Sequence, residues 1–133
     1  MLESMVFHHI GIATDSINKT SKYYLNAGYH MTNIISDTIQ KVNIVFLSKS
    51  NMPLIELLEP ISEDSPVTKI IKKNGVTPYH VCYEVEDINQ SVAALRKMRF
   101  MPLFKSVEAI ALDNRKICFL FNKEIGLIEL LEK

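Results

Sequence analysis

Leu54-Ile55-Glu56-Leu57-Leu58-Glu59 returns unchanged as Leu127-Ile128-Glu129-Leu130-Leu131-Glu132, 73 positions further along the chain. The match extends upstream without a gap, so that Asn43 to Glu59 lies over Lys116 to Glu132, with identities at Ile44/Ile117, Phe46/Phe119 and Leu47/Leu120. A second echo, offset by 71, sets His9-Ile10 over His80-Val81 and Ile17-Asn18 over Ile88-Asn89. Self-similarity of this kind marks two copies of one supersecondary unit, neither of which closes a core alone. Each copy carries one early histidine and one late glutamate.

Outward from the hexapeptides, the first half reads β-α-β-β-β. Val6 to Ala13 is a strand. Asp15 is placed as the N-cap of a helix running to about Ala27, and Gly28 as its stop. Strands follow at about Met31 to Ser36, Gln40 to Ser48 and Leu54 to Glu59, with Ser48-Lys49-Ser50-Asn51-Met52-Pro53 as the turn between the last two. The second half repeats the plan: a strand at Tyr79 to Val85, a helix capped by Asp87 and ending near Met98, then strands near Pro102 to Ser106, Lys116 to Phe121 and Leu127 to Glu132. Ser65-Pro66 opens a linker helix that Gly75 ends. The expected class is α+β, two paired βαβββ modules in a single domain spanning 1–133. Module one covers about 5–60, the linker helix about 65–75 and module two about 78–133.

Composition narrows the function. Fifteen basic residues balance fifteen acidic ones, so the broad positive field of a nucleic-acid binder is missing and a small-molecule ligand is expected. Lys69, Lys72 and Lys73 lie at helical spacing and read as a solvated face. The N-terminal Met1-Leu2-Glu3-Ser4 has no cationic and apolar leader, and no membrane span is expected, which points to a cytoplasmic protein. Cys82 and Cys118 fall inside apolar runs and read as reduced core thiols.

Within each hexapeptide, strand alternation puts Glu56 on a face with Leu54 and Leu58, and Glu129 on the equivalent face of its copy. A carboxylate between leucines needs a cation, a proton or strong donors, because burying an unpaired charge is costly. His9, Glu56, His80 and Glu129 satisfy one another if all four converge on one divalent ion, whose charge the two carboxylates cancel. The repeat selects His9 over His8, since Tyr79 stands opposite His8. Glu59 and Glu132 also repeat, but at strand ends where solvent exposure accounts for them. His30 has no counterpart. Imidazole with carboxylate suits Ni²⁺, Co²⁺, Zn²⁺, Mn²⁺ or Fe²⁺, and four protein ligands leave positions open for substrate oxygens.

His8-His9-Ile10-Gly11-Ile12-Ala13, Ile55-Glu56-Leu57-Leu58-Glu59-Pro60, Asp64-Ser65-Pro66, Tyr79-His80-Val81 and Gly126-Leu127-Ile128-Glu129-Leu130 together resemble the vicinal oxygen chelate superfamily, which includes the glyoxalase and bleomycin-resistance-type domains. Within it the chain looks like the short bacterial glyoxalase I and methylmalonyl-CoA epimerase proteins. The resemblance implies sheets curled round a metal, a homodimer, and ligands at His9, Glu56, His80 and Glu129. It also implies a base that removes a proton beside a carbonyl to give a metal-stabilised enediolate, with Glu129 the first choice and Glu56 the second.

The leading expectation is therefore a glyoxalase I-like lyase of the lactoylglutathione type, acting on a hemithioacetal. Methylmalonyl-CoA epimerase, with an acyl-CoA thioester substrate, is the alternative. A non-catalytic small-molecule-binding protein of the resistance type is the second alternative. Some epimerases carry an acidic residue at the place of Ile44, and an aliphatic side chain transfers no proton, which favours the one-base chemistry of a glyoxalase. Typical glyoxalase I proteins carry an arginine shortly after the first ligand histidine, where this chain has Ile10 to Thr14. Arg115, just ahead of a strand, is the candidate for holding an anionic group of the substrate.

Overall fold

The computed structural model describes all 133 residues, in two compact units, His9–Tyr79 and Met1–His8 with His80–Lys133. The first unit takes in most of β1 (Val6–Ala13), then α1 (Ile17–Asn26), β2 (His30–Met31), β3 (Ile35–Asp37), β4 (Val42–Ser48), β5 (Ile55–Pro60) and α2 (Pro66–Asn74). The first hexapeptide is β5, which runs antiparallel to β4 with Phe46 opposite Glu56, and parallel to β1 with Ile10 opposite Ile55. A parallel neighbour requires a long crossover, and α1 with the strands after it supplies one. Ile17 of α1 packs with Val45, Leu47 and Leu57, and Tyr24, Tyr29, Ile12 and Ile55 close around them.

In the second unit most of β6 (Thr77–Val85) is followed by α3 (Ile88–Lys97), β7 (Met101–Pro102), β8 (Val107–Ala109), a short 3₁₀ turn (Ile110–Leu112), β9 (Arg115–Asn122) and β10 (Gly126–Glu132). The second hexapeptide is β10, parallel to β6 with Glu129 opposite Cys82, and antiparallel to β9 with Glu129 opposite Phe119. Its core gathers Ile88 and Leu95 of α3 with Val85, Phe100, Leu120, Ile128 and Leu130. Both hexapeptides thus hold the same place in their units, between a parallel and an antiparallel neighbour. The architecture is α+β.

Local chemistry explains where the observed elements depart from the expected ones. Ser16, not Asp15, caps α1: its side chain accepts from Lys19 N–H, while Thr14 Oγ1 accepts from Ser16 N–H and fixes the entry. Asp87 and Ser65 cap α3 and α2 as expected, and Gly28 follows α1 at φ 87°. Arg99, which the 71-residue offset sets opposite Gly28, takes a left-handed φ of 66° without being glycine. The strand expected over Met31 to Ser36 is broken in two, because Thr32 bonds Phe46 through both its backbone N–H and its hydroxyl. Instead of a strand over Pro102 to Ser106 the chain forms β7 and, beyond it, β8.

Candidate metal centre

β1 delivers His9 and β5 delivers Glu56, with His9 fully buried and Glu56 2% exposed. His9 Nε2 stands 3.4 Å from Glu56 Oε1. Phe46, opposite Glu56 on β4, meets the His9 ring edge-on, 5.6 Å between centroids at 79°. In the other unit His80 on β6 and Glu129 on β10 are 3% and 2% exposed, with His80 Nε2 3.6 Å from Glu129 Oε2. Phe119, opposite Glu129 on β9, meets the His80 ring at 5.1 Å and 89°. The same His–Glu–Phe arrangement is built twice from the repeated residues.

The two phenylalanines are part of the site that sequence reasoning passed over. Phe46 and Phe119 were visible as identities in the repeat, yet an aromatic in a strand reads first as core. Here each packs edge-to-face against an imidazole, and the carboxylate opposite it on the neighbouring strand is buried. A dry carboxylate against a dry imidazole is a costly arrangement that a cation relieves. Imidazole nitrogen and carboxylate oxygen are also the donor types that divalent transition ions take. The donor types fit such an ion in each unit taken by itself, His9 with Glu56 in one and His80 with Glu129 in the other.

Glu59 and Glu132 correct the expectation of plain solvent exposure. Each carboxylate turns to the other face of its hexapeptide strand and accepts from the first N–H of the helix in its own unit. Glu59 Oε1 takes Ile17 N–H at 3.3 Å, and Glu132 Oε2 takes Ile88 N–H at 2.9 Å.

Arg115 opens β9 on the same strand face as Ile117 and Phe119. Its Nη2 donates to Glu84 Oε2 at 2.5 Å and its Nε to the Glu132 carbonyl at 2.7 Å. The hydrogen bond and charge of Arg115 hold the Glu84 carboxyl below its ordinary range, against the opposing effect of desolvation. A substrate anion at Arg115 would compete with Glu84 for the guanidinium. His30 is exposed, and burial pushes the Cys118 thiol up, as suits an inert core residue.

The family model for the Glyoxalase/Bleomycin resistance protein/Dioxygenase superfamily matches residues 8–119. The chain belongs to this family. Mitochondrial methylmalonyl-CoA epimerase of Homo sapiens is 31% identical over 127 residues, 92% of this chain and 71% of that protein. Among solved structures, a hypothetical protein of Bacillus halodurans matches with a TM-score of 0.87 at 28% identity, covering 98% of this chain and 96% of the other. Methylmalonyl-CoA epimerase of Streptomyces coelicolor, in complex with 2-nitronate-propionyl-CoA, matches with a TM-score of 0.82 at 27% identity, covering 96% of each chain. These relatives include epimerases, so the comparisons favour the alternative drawn from the sequence over its leading glyoxalase I-like reading. No helix is long and apolar enough to cross a membrane.

Proposed function

We propose that this chain is a divalent-metal-dependent epimerase of an acyl-CoA thioester of the methylmalonyl-CoA type, with His9, Glu56, His80 and Glu129 as the ligands of one ion. In this reading the two halves make one functional domain, each supplying one histidine and one carboxylate. One observation carries it: a complete buried His–Glu pair recurs in each half of a chain that resembles methylmalonyl-CoA epimerases along its length.

The reaction removes the proton from one face of the carbon between a thioester and a carboxylate and delivers a proton to the opposite face. When bound, the ion supplies positive charge for the thioester oxygen that turns negative as the proton leaves. The proton needs an acceptor within hydrogen-bonding reach. Ile44 is aliphatic and 1% exposed, so the acceptor is assigned to a carboxylate oxygen of Glu129, and Glu56, the second choice as base, is assigned as the proton donor to the opposite face. The burial of Glu56 and Glu129, each 2% exposed, keeps bulk water from these oxygens, which strengthens their pull on a proton. Arg115 is assigned to the anionic end of the substrate, in exchange with Glu84. The aliphatic Ile44 also favours a second reading, a glyoxalase I-like isomerisation of a hemithioacetal by one-base chemistry.

The test is deuterium uptake at C2 of methylmalonyl-CoA in D₂O, read by mass spectrometry, with Co²⁺-loaded protein, EDTA-treated protein and the Glu129→Gln variant. Uptake by the loaded protein alone is the expected result. Hemithioacetal turnover without deuterium uptake would replace the epimerase by the lyase. Metal binding with neither activity would leave a small-molecule-binding protein.

A further inference from the structure

Between α3 and β9 lies an open cavity of about 470 Å³, whose wall includes the exposed side chains of Arg96, Lys105 and Phe104, the last with its ring 6.0 Å from that of Phe119. Phe119 turns to His80, whereas Cys118, its neighbour in β9, packs into the core formed with Ile88 and Leu95 of α3 and forms part of the cavity wall. Helix α3 contributes Asn89, Val92 and Arg96, three residues on one helical face. The segment after the helix contributes Met101, Pro102, Lys105 and Ser106.

We propose that this cavity is a binding site for a small organic anion, separate from the metal centre. Its volume falls within the range of about 300–1,000 Å³ that small-molecule sites occupy. The charge on its wall has one sign: Arg96 and Lys105 line it and no acidic residue does. A guanidinium and an ammonium on one concave surface fit a phosphate or carboxylate head group. Asn89 and Ser106 add hydrogen-bonding groups, and Val92, Met101 and Pro102 offer apolar contact to the body of the ligand. Cys118 Sγ lies 3.5 Å from the Phe104 carbonyl and donates to it, so the thiol serves as wall and the binding is noncovalent. Nothing in this proposal depends on which reaction the metal centre performs.

The test uses the full chain carrying ¹³C-methyl methionine, titrated with phenyl phosphate, with benzoate and with neutral benzyl alcohol. Met101 reports from the cavity wall, and Met1 and Met52, which do not line it, serve as controls. The expected result is a saturable shift of the Met101 methyl signal by one or both anions, phenyl phosphate over benzoate marking a phosphate site and the reverse a carboxylate site. Arg96→Gln and Lys105→Gln should each weaken binding about tenfold, the effect of losing one charge-assisted hydrogen bond. The control methyls, unshifted in both variants, show that the fold is intact. No saturable shift up to about 10 mM, the weak end of specific binding, would overturn the proposal. So would equal binding of benzyl alcohol, or undiminished binding in the double variant.

Discussion

Replacing Glu129 by glutamine keeps the shape of the side chain and deletes one of the two buried carboxylate charges assigned to the ion. Glu129 is 2% exposed and its Oε2 lies 3.6 Å from His80 Nε2. At an effective dielectric of about 20, a pair of unit charges about 4 Å apart interacts by about 4 kcal/mol. Part of that is offset by the hydration the carboxylate gives up on burial, which leaves a loss in metal affinity on the order of a hundredfold. An ion present at about 100 times the wild-type Kd stabilises the wild type by about 2.7 kcal/mol, and a variant bound a hundredfold more weakly by only about 0.4 kcal/mol. Unfolding entropy of about 2.1 cal/mol/K per residue over 133 residues converts these to a rise in Tm of about 10 °C for the wild type and 1–2 °C for Glu129→Gln. The assay is scanning calorimetry of EDTA-stripped protein with and without Co²⁺, each protein compared with its own metal-free scan so that packing changes cancel. A wild type that no divalent ion stabilises, or a variant that keeps the whole shift, would refute the reasoning.

Leu130→Ala, at a fully buried core position beside Leu95 and Leu120, should cost about 2–5 kcal/mol in urea denaturation; a loss under 1 kcal/mol would mean that the site collapses freely. Ser16→Ala should cost about 1 kcal/mol as a lost helix cap while Asp15→Ala costs little, and the reverse order would restore Asp15 as the cap. Glu132→Ala removes the acceptor of Ile88 N–H and should cost about 1 kcal/mol, a loss absent from denaturation curves if water replaces it freely. Glu84 sits below its ordinary value of 4.5, chiefly through its hydrogen bond to Arg115, so its contribution to stability is present above that pH and is lost as pH falls through the lower folded value. Urea midpoints measured from pH 7 to pH 3 should therefore fall more steeply below about 4.5 in the wild type than in Arg115→Gln; parallel curves would show that the pair contributes nothing to folding.

What the sequence made legible follows from where its information is local. A hexapeptide repeated without change carries both strand pattern and register, so β5 and β10 could be read, and with them the face on which Glu56 and Glu129 lie. The histidines were found by their pairing across the repeat, since one histidine in an apolar strand carries little signal. The breaks were harder to see. Thr32 is a good strand residue whose backbone and hydroxyl both turn to Phe46 fourteen positions away, a contact that no window of sequence contains. β8 was missed because Val107-Glu108-Ala109 is too short to show alternation, and it exists through pairing with Arg115 to Ile117. From sequence Arg115 reads as a candidate for holding a substrate anion, because nothing nearby in sequence announces Glu84, 31 residues earlier.

The two glutamates of each hexapeptide divide their labour by face, one turned to a histidine and the other to a helix N-terminus. A genetic screen should separate them. Substitutions at Glu56 and Glu129 should lower the specific activity of the molecules that remain folded, whereas substitutions at Glu59 and Glu132 should lower abundance and leave the specific activity of the surviving molecules intact. A single-residue insertion within either strand would exchange the two faces, and should cost abundance and activity together.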